Sequence, residues 1–196
     1  MALWIGSFYL LIETKQYRYL AATILVPYIV PLFFFRLLTF VYPFEEGAQL
    51  IGLDQKKFSV WLAGFRIQQI YLVFPQLERL LFFLPEMYST WLRLWGSKIG
   101  WGVFWTPGNI IGDRNLLNIG NKVVFGHQVY LSAHLLRVKN DQFMLYAKKI
   151  KIGDNCFIGA FSKLGPGTSI KADTVVNAGS YYTVNKSEPG SQMPDY

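Results

Sequence analysis

Five hexapeptides stand end to end near the C-terminus, opened by Ile152, Ile158, Leu164, Ile170 and Val176. Four residues after each opener comes a small side chain: Cys156, Ser162, Thr168, Thr174 and Ser180. A helix repeats every 3.6 residues and a strand every two, so a sustained step of six fits neither alone. It fits a chain that runs one short strand, turns a corner and repeats. Three such strands close a triangular coil with the openers stacked inside.

The step continues upstream. Ile119, Phe125 and Leu131 carry it, with Val123, Val129 and Leu135 four positions later, and before them come Ile99, Trp105 and Ile111. Two extra residues separate these sets, and a longer interruption, 137–151, separates the second from the third. Stacked, the sets predict three interior columns. One is Ile99, Ile119, Ile152 and Ile170; the next is Trp105, Phe125, Ile158 and Val176; the third is Ile111, Leu131, Leu164 and Tyr182. Each coil buries its apolar side only against its neighbours, which is the logic of a solenoid.

Composition divides the chain. Five of the 17 glycines lie in residues 1–98 and twelve in 99–196, so a boundary is expected near 98/99. The expected organisation is a hydrophobic helical, membrane-associated region at 1–98, a solenoid at 99–186 and a tail at 187–196. The net charge of +7 splits as +3 and +4 across the boundary, so neither half is a basic tail, and no nucleic-acid motif is present. An apolar fraction of 52% with only 16% charged residues points toward a membrane surface. A single cysteine excludes an intramolecular disulfide.

Residues 19–42 have only Thr23, Arg36 and Thr39 as clearly polar members, enough length for a bilayer crossing, which takes about 20 residues. Pro27 and Pro31 inside the stretch predict a kinked or re-entrant segment rather than a straight helix. Lys15 and Arg18 ahead of it favour a cytoplasmic start. A hairpin, or residues 1–12 acting as a second span, would keep the solenoid on the cytoplasmic face. From Pro75 on, Leu77, Leu80, Leu81, Leu84, Tyr88, Trp91, Leu92 and Trp95 recur at helical spacing. This predicts an amphipathic helix bent at Pro85, either capping the open end of the solenoid or lying in the headgroup layer.

The stretch IGDNCFIGAFSKLGPGTSIKADTVVNAGSYYTVNK, 152–186, resembles the hexapeptide-repeat acyltransferases, whose fold is a left-handed parallel β-helix, and among them the sugar and polysaccharide O-acetyltransferases. The resemblance implies a mainly β fold of about four coils and a homotrimer with acetyl-CoA, or another acyl-CoA, as co-substrate in the groove between subunits, without a metal. It implies a catalytic histidine beside an extruded loop, and His134 stands there. His127 is the other histidine, and neither holds an inward position in the repeat. The family's CoA contacts carry over to Gly159, Ala160, Ala178 and Gly179, and to Lys186 by its phosphate-binding lysine. Phe157 stands where the family commonly has Trp, and TVNK holds one residue more than the usual spacing. The chain ends at EPGSQMPDY, ahead of the family's usual closing segment, so a C-terminal cap is expected to be absent or replaced by the N-terminal half. Cys156 occupies a small-residue slot and reads as packing.

The resulting expectation is a membrane-associated O-acyltransferase acting on a saccharide or lipid-linked saccharide. A membrane-anchored scaffold is the alternative. A zinc enzyme on the same coils needs three histidine positions per site, and two histidines cannot supply them. Arg137, Lys139, Lys148, Lys149 and Lys151 crowd the loop and its exit, where they suit CoA phosphates, anionic lipid heads or plain solvation.

Overall fold

The computed structural model describes residues 2–14, 17–51, 58–139 and 142–188. They fall into two compact units: Met1–Phe44 with Val60–Leu77, and Glu45–Ser59 with Glu78–Tyr196.

The first unit is helical. Its elements are α1 (Ala2–Thr14), α2 (Tyr17–Val41) and α3 (Val60–Val73). The 23 residues Tyr19–Val41 are long and apolar enough to cross a membrane by length and composition; their most apolar 18-residue stretch has a mean hydropathy of 2.1, with 11% of it buried. α1, with 13 residues, rises only about 20 Å, short of a hydrocarbon core of roughly 30 Å. The kinked or re-entrant segment expected from Pro27 and Pro31 is instead one continuous helix. The reason lies in α3. Pro31 has no N–H to offer the carbonyl of Pro27 four residues back. The Tyr71 hydroxyl donates to that carbonyl at 2.6 Å, in a buried setting. Nearby, a Cβ on Gly64 would come within 2.9 Å of the Phe35 ring, so the two helices approach closely at that glycine.

The second unit is the solenoid, a left-handed parallel β-helix. Its three parallel sheets carry the three columns in the expected register. Ile99, Ile119, Ile152 and Ile170 align in one. Trp105, Phe125, Ile158 and Val176 align in the second. Ile111, Leu131, Leu164 and Tyr182 align in the third. Their outward neighbours on each strand are more exposed, which is the period-two alternation of a strand with one buried face. The small-residue slot lies inside the corners: Thr168 and Thr174 hydroxyls donate to the carbonyls of Gly165 and Lys171 at 2.8 and 2.7 Å. The first sheet gains a further strand, Ser187–Glu188, paired with Ser169–Ile170, so pairing runs into the segment read as tail.

The interruption is an antiparallel hairpin, His134–Lys139 with Gln142–Ala147, and it begins at His134 rather than Arg137. Leu135 is therefore not an interior rung; it is 41% exposed on the hairpin. The strand Gly47–Ile51 pairs antiparallel with Gln142–Ala147 and makes the hairpin three-stranded. Nothing in the six-residue period pointed to that strand.

The amphipathic helix expected from Pro75 is three pieces: α4 (Gln76–Arg79), a 3₁₀ turn Leu80–Phe82, and α5 (Met87–Leu94). Pro85 and the left-handed Glu86 (φ 60°) break it, so Leu80 and Leu84 lose the register and are exposed. α5 takes the capping role. Tyr88, Trp91, Leu92 and Trp95 are buried. Tyr88 packs edge-on against Trp105, which stacks on Phe125 with centroids 4.3 Å apart. Ser89 accepts from the Trp105 indole at 3.0 Å. α5 thus covers the first coil.

A buried ion pair fastens this cap. Arg114, fully buried, donates through Nε and Nη2 to the Glu78 carboxylate at 2.8 and 2.5 Å. Burial, then the Glu78 charge, push the Tyr88 phenol well above its ordinary value, with Arg114 pulling the other way.

Two substitutions test these joints. Tyr71→Phe leaves the Pro27 carbonyl without its hydroxyl donor and should cost about 1–3 kcal/mol in the helical unit; an unfolding curve in detergent indistinguishable from the parent would refute the bond's role. Glu78→Ala strands the Arg114 charge, for a cost of about 3–5 kcal/mol. An unchanged denaturation midpoint would show that the pair does not hold the cap.

Candidate functional site

Most corners of the solenoid place the residue three after the opener at positive φ: Lys122, Gln128, Asn155, Phe161, Asp173 and Asn185, at 52–61°, with Gly102, Gly167 and Gly179 at 68–74° and Gly108 at 102°. This slot is Arg114 after Ile111 and His134 after Leu131. In the third corner these two depart from the pattern. The first coil carries its two extra residues there, and at the next coil the hairpin leaves.

The departure assembles a pair. Asp113 Oδ2 lies 2.7 Å from Nδ1 of His134 and accepts the Ala133 N–H at 2.9 Å. The Asp113 side chain is 2% exposed and the His134 side chain 18%. An ionised carboxylate only accepts hydrogen bonds, so it fixes the proton on Nδ1 and leaves the Nε2 lone pair as the basic atom. The Ser132 hydroxyl donates to the His134 carbonyl at 3.1 Å and holds the turn. Sequence reading singled out His134 and missed Asp113. The signal was present: the first two coils are 20 residues apart, Ile111 to Leu131, so Asp113 falls beside Ala133 and its neighbour His134.

The other expected positions divide between corners. Gly159, Ala160, Ala178 and Gly179 stack at the second corner, where the Gly179 N–H donates to the Ala160 carbonyl at 2.8 Å. A Cβ on Gly159 would collide with the backbone nitrogen of Ala178, which accounts for glycine there. A hollow of about 270 Å³ opens beside this corner, lined by Phe161, Lys163, Gly179, Ser180 and Tyr181. Lys186 belongs to the third corner, its Nζ 5.0 Å from the Tyr182 ring centroid. The outer face of the third sheet, Ile110, Tyr130, Lys163 and Tyr181, runs between these two corners.

His127 lies at the second corner, exposed, its Nδ1 3.1 Å from the Pro107 carbonyl. Its ring meets Phe161 edge-on. Among the basic residues of the hairpin, Lys149 pairs with Glu46 at 3.3 Å and Lys148 donates to Asn185 at 3.1 Å. Arg137 and Lys151 are exposed. Among the described residues no three His, Cys, Asp or Glu side chains gather as a metal site.

With this geometry in place, likenesses to known proteins take on detail. Residues 149–181 match the family model for the bacterial transferase hexapeptide, six repeats. These residues are hexapeptide repeat. The solenoid is similar to a hexapeptide-repeat acetyltransferase of Vibrio cholerae solved with acetyl-coenzyme A: 24% identity over 48% of this chain and 52% of that one, TM-score 0.44. A maltose O-acetyltransferase from Clostridium difficile aligns at 20% identity over 59% and 75%, TM-score 0.42. A galactoside acetyltransferase in complex with coenzyme A aligns at 16% over 63% and 76%, TM-score 0.38. The chain spans about half the length of the first of these. No curated protein matches it.

Cys156 packs as the sequence suggested: the buried thiol donates to the Lys171 carbonyl at 3.0 Å. Burial, ahead of the nearby Asp173 and Asp154 charges, raises its pKa, so it stays a protonated thiol at neutral pH rather than a nucleophile. A thiol-specific reagent should leave native protein unlabelled and modify one site per chain on unfolding; rapid labelling of native protein would contradict this packing.

Proposed function

We propose that this protein is an acyl-CoA-dependent O-acyltransferase, acetyl-CoA being the favoured donor, that works at a membrane on a hydroxyl of a saccharide or lipid-linked saccharide. The observation that carries the reading is the Asp113–His134 pair at the root of the hairpin. An alcohol is a weak nucleophile until its proton is removed, and a neutral imidazole held in one tautomer suits that task. His134 Nε2 accepts the hydroxyl proton as the oxygen attacks the thioester carbonyl. The tetrahedral adduct collapses with cleavage of the C–S bond, and the imidazolium returns the proton to the leaving CoA thiolate. Asp113 orients the ring and offsets its transient charge. No acyl-enzyme is required.

CoA is assigned to the second corner and the third sheet's outer face, with Gly159, Ala160, Ala178 and Gly179 giving the backbone close approach and Lys186 a cation. Within one chain these glycines and alanines stand at a different corner from His134. That separation favours a homotrimer, in which the second corner of one copy faces the third corner of the next. The outward row Phe104, Val124, Phe157 and Val175 supplies apolar surface of the kind such an interface buries. The length and hydropathy of Tyr19–Val41 support membrane attachment.

The test is thiol release from acetyl-CoA, using full-length protein and cell-envelope glycolipids as acceptors. His134→Ala should lower kcat by about 10²–10⁴, and Asp113→Asn by roughly 10–100-fold with KM little changed, as losing an orienting partner does. Full activity in His134→Ala would overturn the base assignment. A parent protein that binds no CoA would overturn the enzyme reading in favour of a scaffold.

A further inference from the structure

The helical unit contains a groove of about 660 Å³ that the acyl-transfer chemistry does not use. It lies along α2 and α3, with Val30 and Phe34 on one wall and Ile70 and Val73 on the other, and Leu3 of α1 at its edge. Its volume falls in the range of roughly 300–1,000 Å³ typical of small-molecule sites. The lining is apolar except at one place, where Arg66 and Gln69, both exposed, stand one turn apart on α3. Among the described residues no carboxylate lines the groove.

We propose that this groove holds one hydrocarbon chain of a phospholipid with an anionic head, and that Arg66 pairs with the phosphate. Two observations select that occupant. The groove opens on helices whose outer surface is already apolar: Ile29, Phe33 and Phe34 of α2 and Val73 of α3 are each more than half exposed. A chain entering from the hydrocarbon layer meets no polar barrier. The single cation at the lip then needs a counter-charge, because a guanidinium held in apolar surroundings is costly unless paired. A phosphate takes two parallel N–H donors from such a fork, and Gln69 adds an amide donor. An uncharged lipid would leave Arg66 unmatched, and in a zwitterionic phosphatidylcholine the choline cation competes with Arg66 for the phosphate. An anionic lipid satisfies both parts of the site.

The site is independent of the acyl-transfer reading, and the glycolipid assay can fail without touching it. Its test uses the full chain in a non-ionic detergent with a phosphatidylglycerol carrying a photoactivatable group in its acyl chain. Labelling is expected on peptides from α2 and α3. Unlabelled phosphatidylglycerol should compete at about fivefold lower concentration than phosphatidylcholine, the effect expected of one basic residue. Arg66→Gln should abolish that preference, Arg66→Lys should retain most of it, and Val30→Trp, which fills the groove, should remove the labelling itself. Equal competition by the two lipids, or labelling unaffected by Val30→Trp, would assign the contact to bulk lipid and overturn the proposal. The competition arm uses the unaltered chain, so it decides the matter whether or not each variant folds.

Discussion

Everything in the solenoid depends on one constraint: a coil of three short strands has no core of its own. Ile152 is buried only because Ile119 lies on one side and Ile170 on the other. The same holds at Trp105 and Phe125, whose rings stack with an interplanar angle of 3°. Such a column is self-sustaining in the middle and unsatisfied at its ends. Trp105 belongs to the first coil, and its exposed ring face would meet water if α5 were not there. The buried Tyr88, Trp91 and Trp95 answer that need with aromatic area, and the Glu78–Arg114 pair fixes where the cap sits.

The pair has a second consequence through its sequence neighbour. Arg114 is held by the cap, and Asp113, one residue earlier, holds the histidine of the following coil. Both stand in the wider third corner created by the two extra residues between Ile111 and Ile119. A regular hexapeptide corner offers one residue at positive φ and little else. The insertion makes room for a buried carboxylate in one coil and the hairpin exit in the next, so the irregular corner is where chemistry-bearing side chains collect.

Much of this was legible in the residues. The three interior columns follow from the six-residue step alone, because a side chain that faces inward at Ile152 must do so again at every sixth position. The place of His134 at the edge of the interruption was legible, and the resemblance to the acyltransferases is what singled it out. Asp113 was harder: it required carrying the 20-residue interval between coils across to the corner, and the extra residues obscured it. The strand Gly47–Ile51 was not legible, since its pairing with Gln142–Ala147 joins segments about a hundred residues apart with no shared period. The helix break at Glu86 was half legible. Pro85 marked it, but a non-glycine residue at φ 60° has no composition signal.

The helical unit obeys a different constraint. A proline inside an ordinary surface helix exposes a carbonyl that water can satisfy. Pro31 exposes the carbonyl of Pro27 in a stretch of chain with a mean hydropathy of 2.1, where little water is available. Tyr71 is 1% exposed and directs its only polar atom at that carbonyl. A carbonyl buried between two packed helices needs such a donor. The donor from α3 explains how α2 stays continuous at Pro31, where the sequence alone argued for a break.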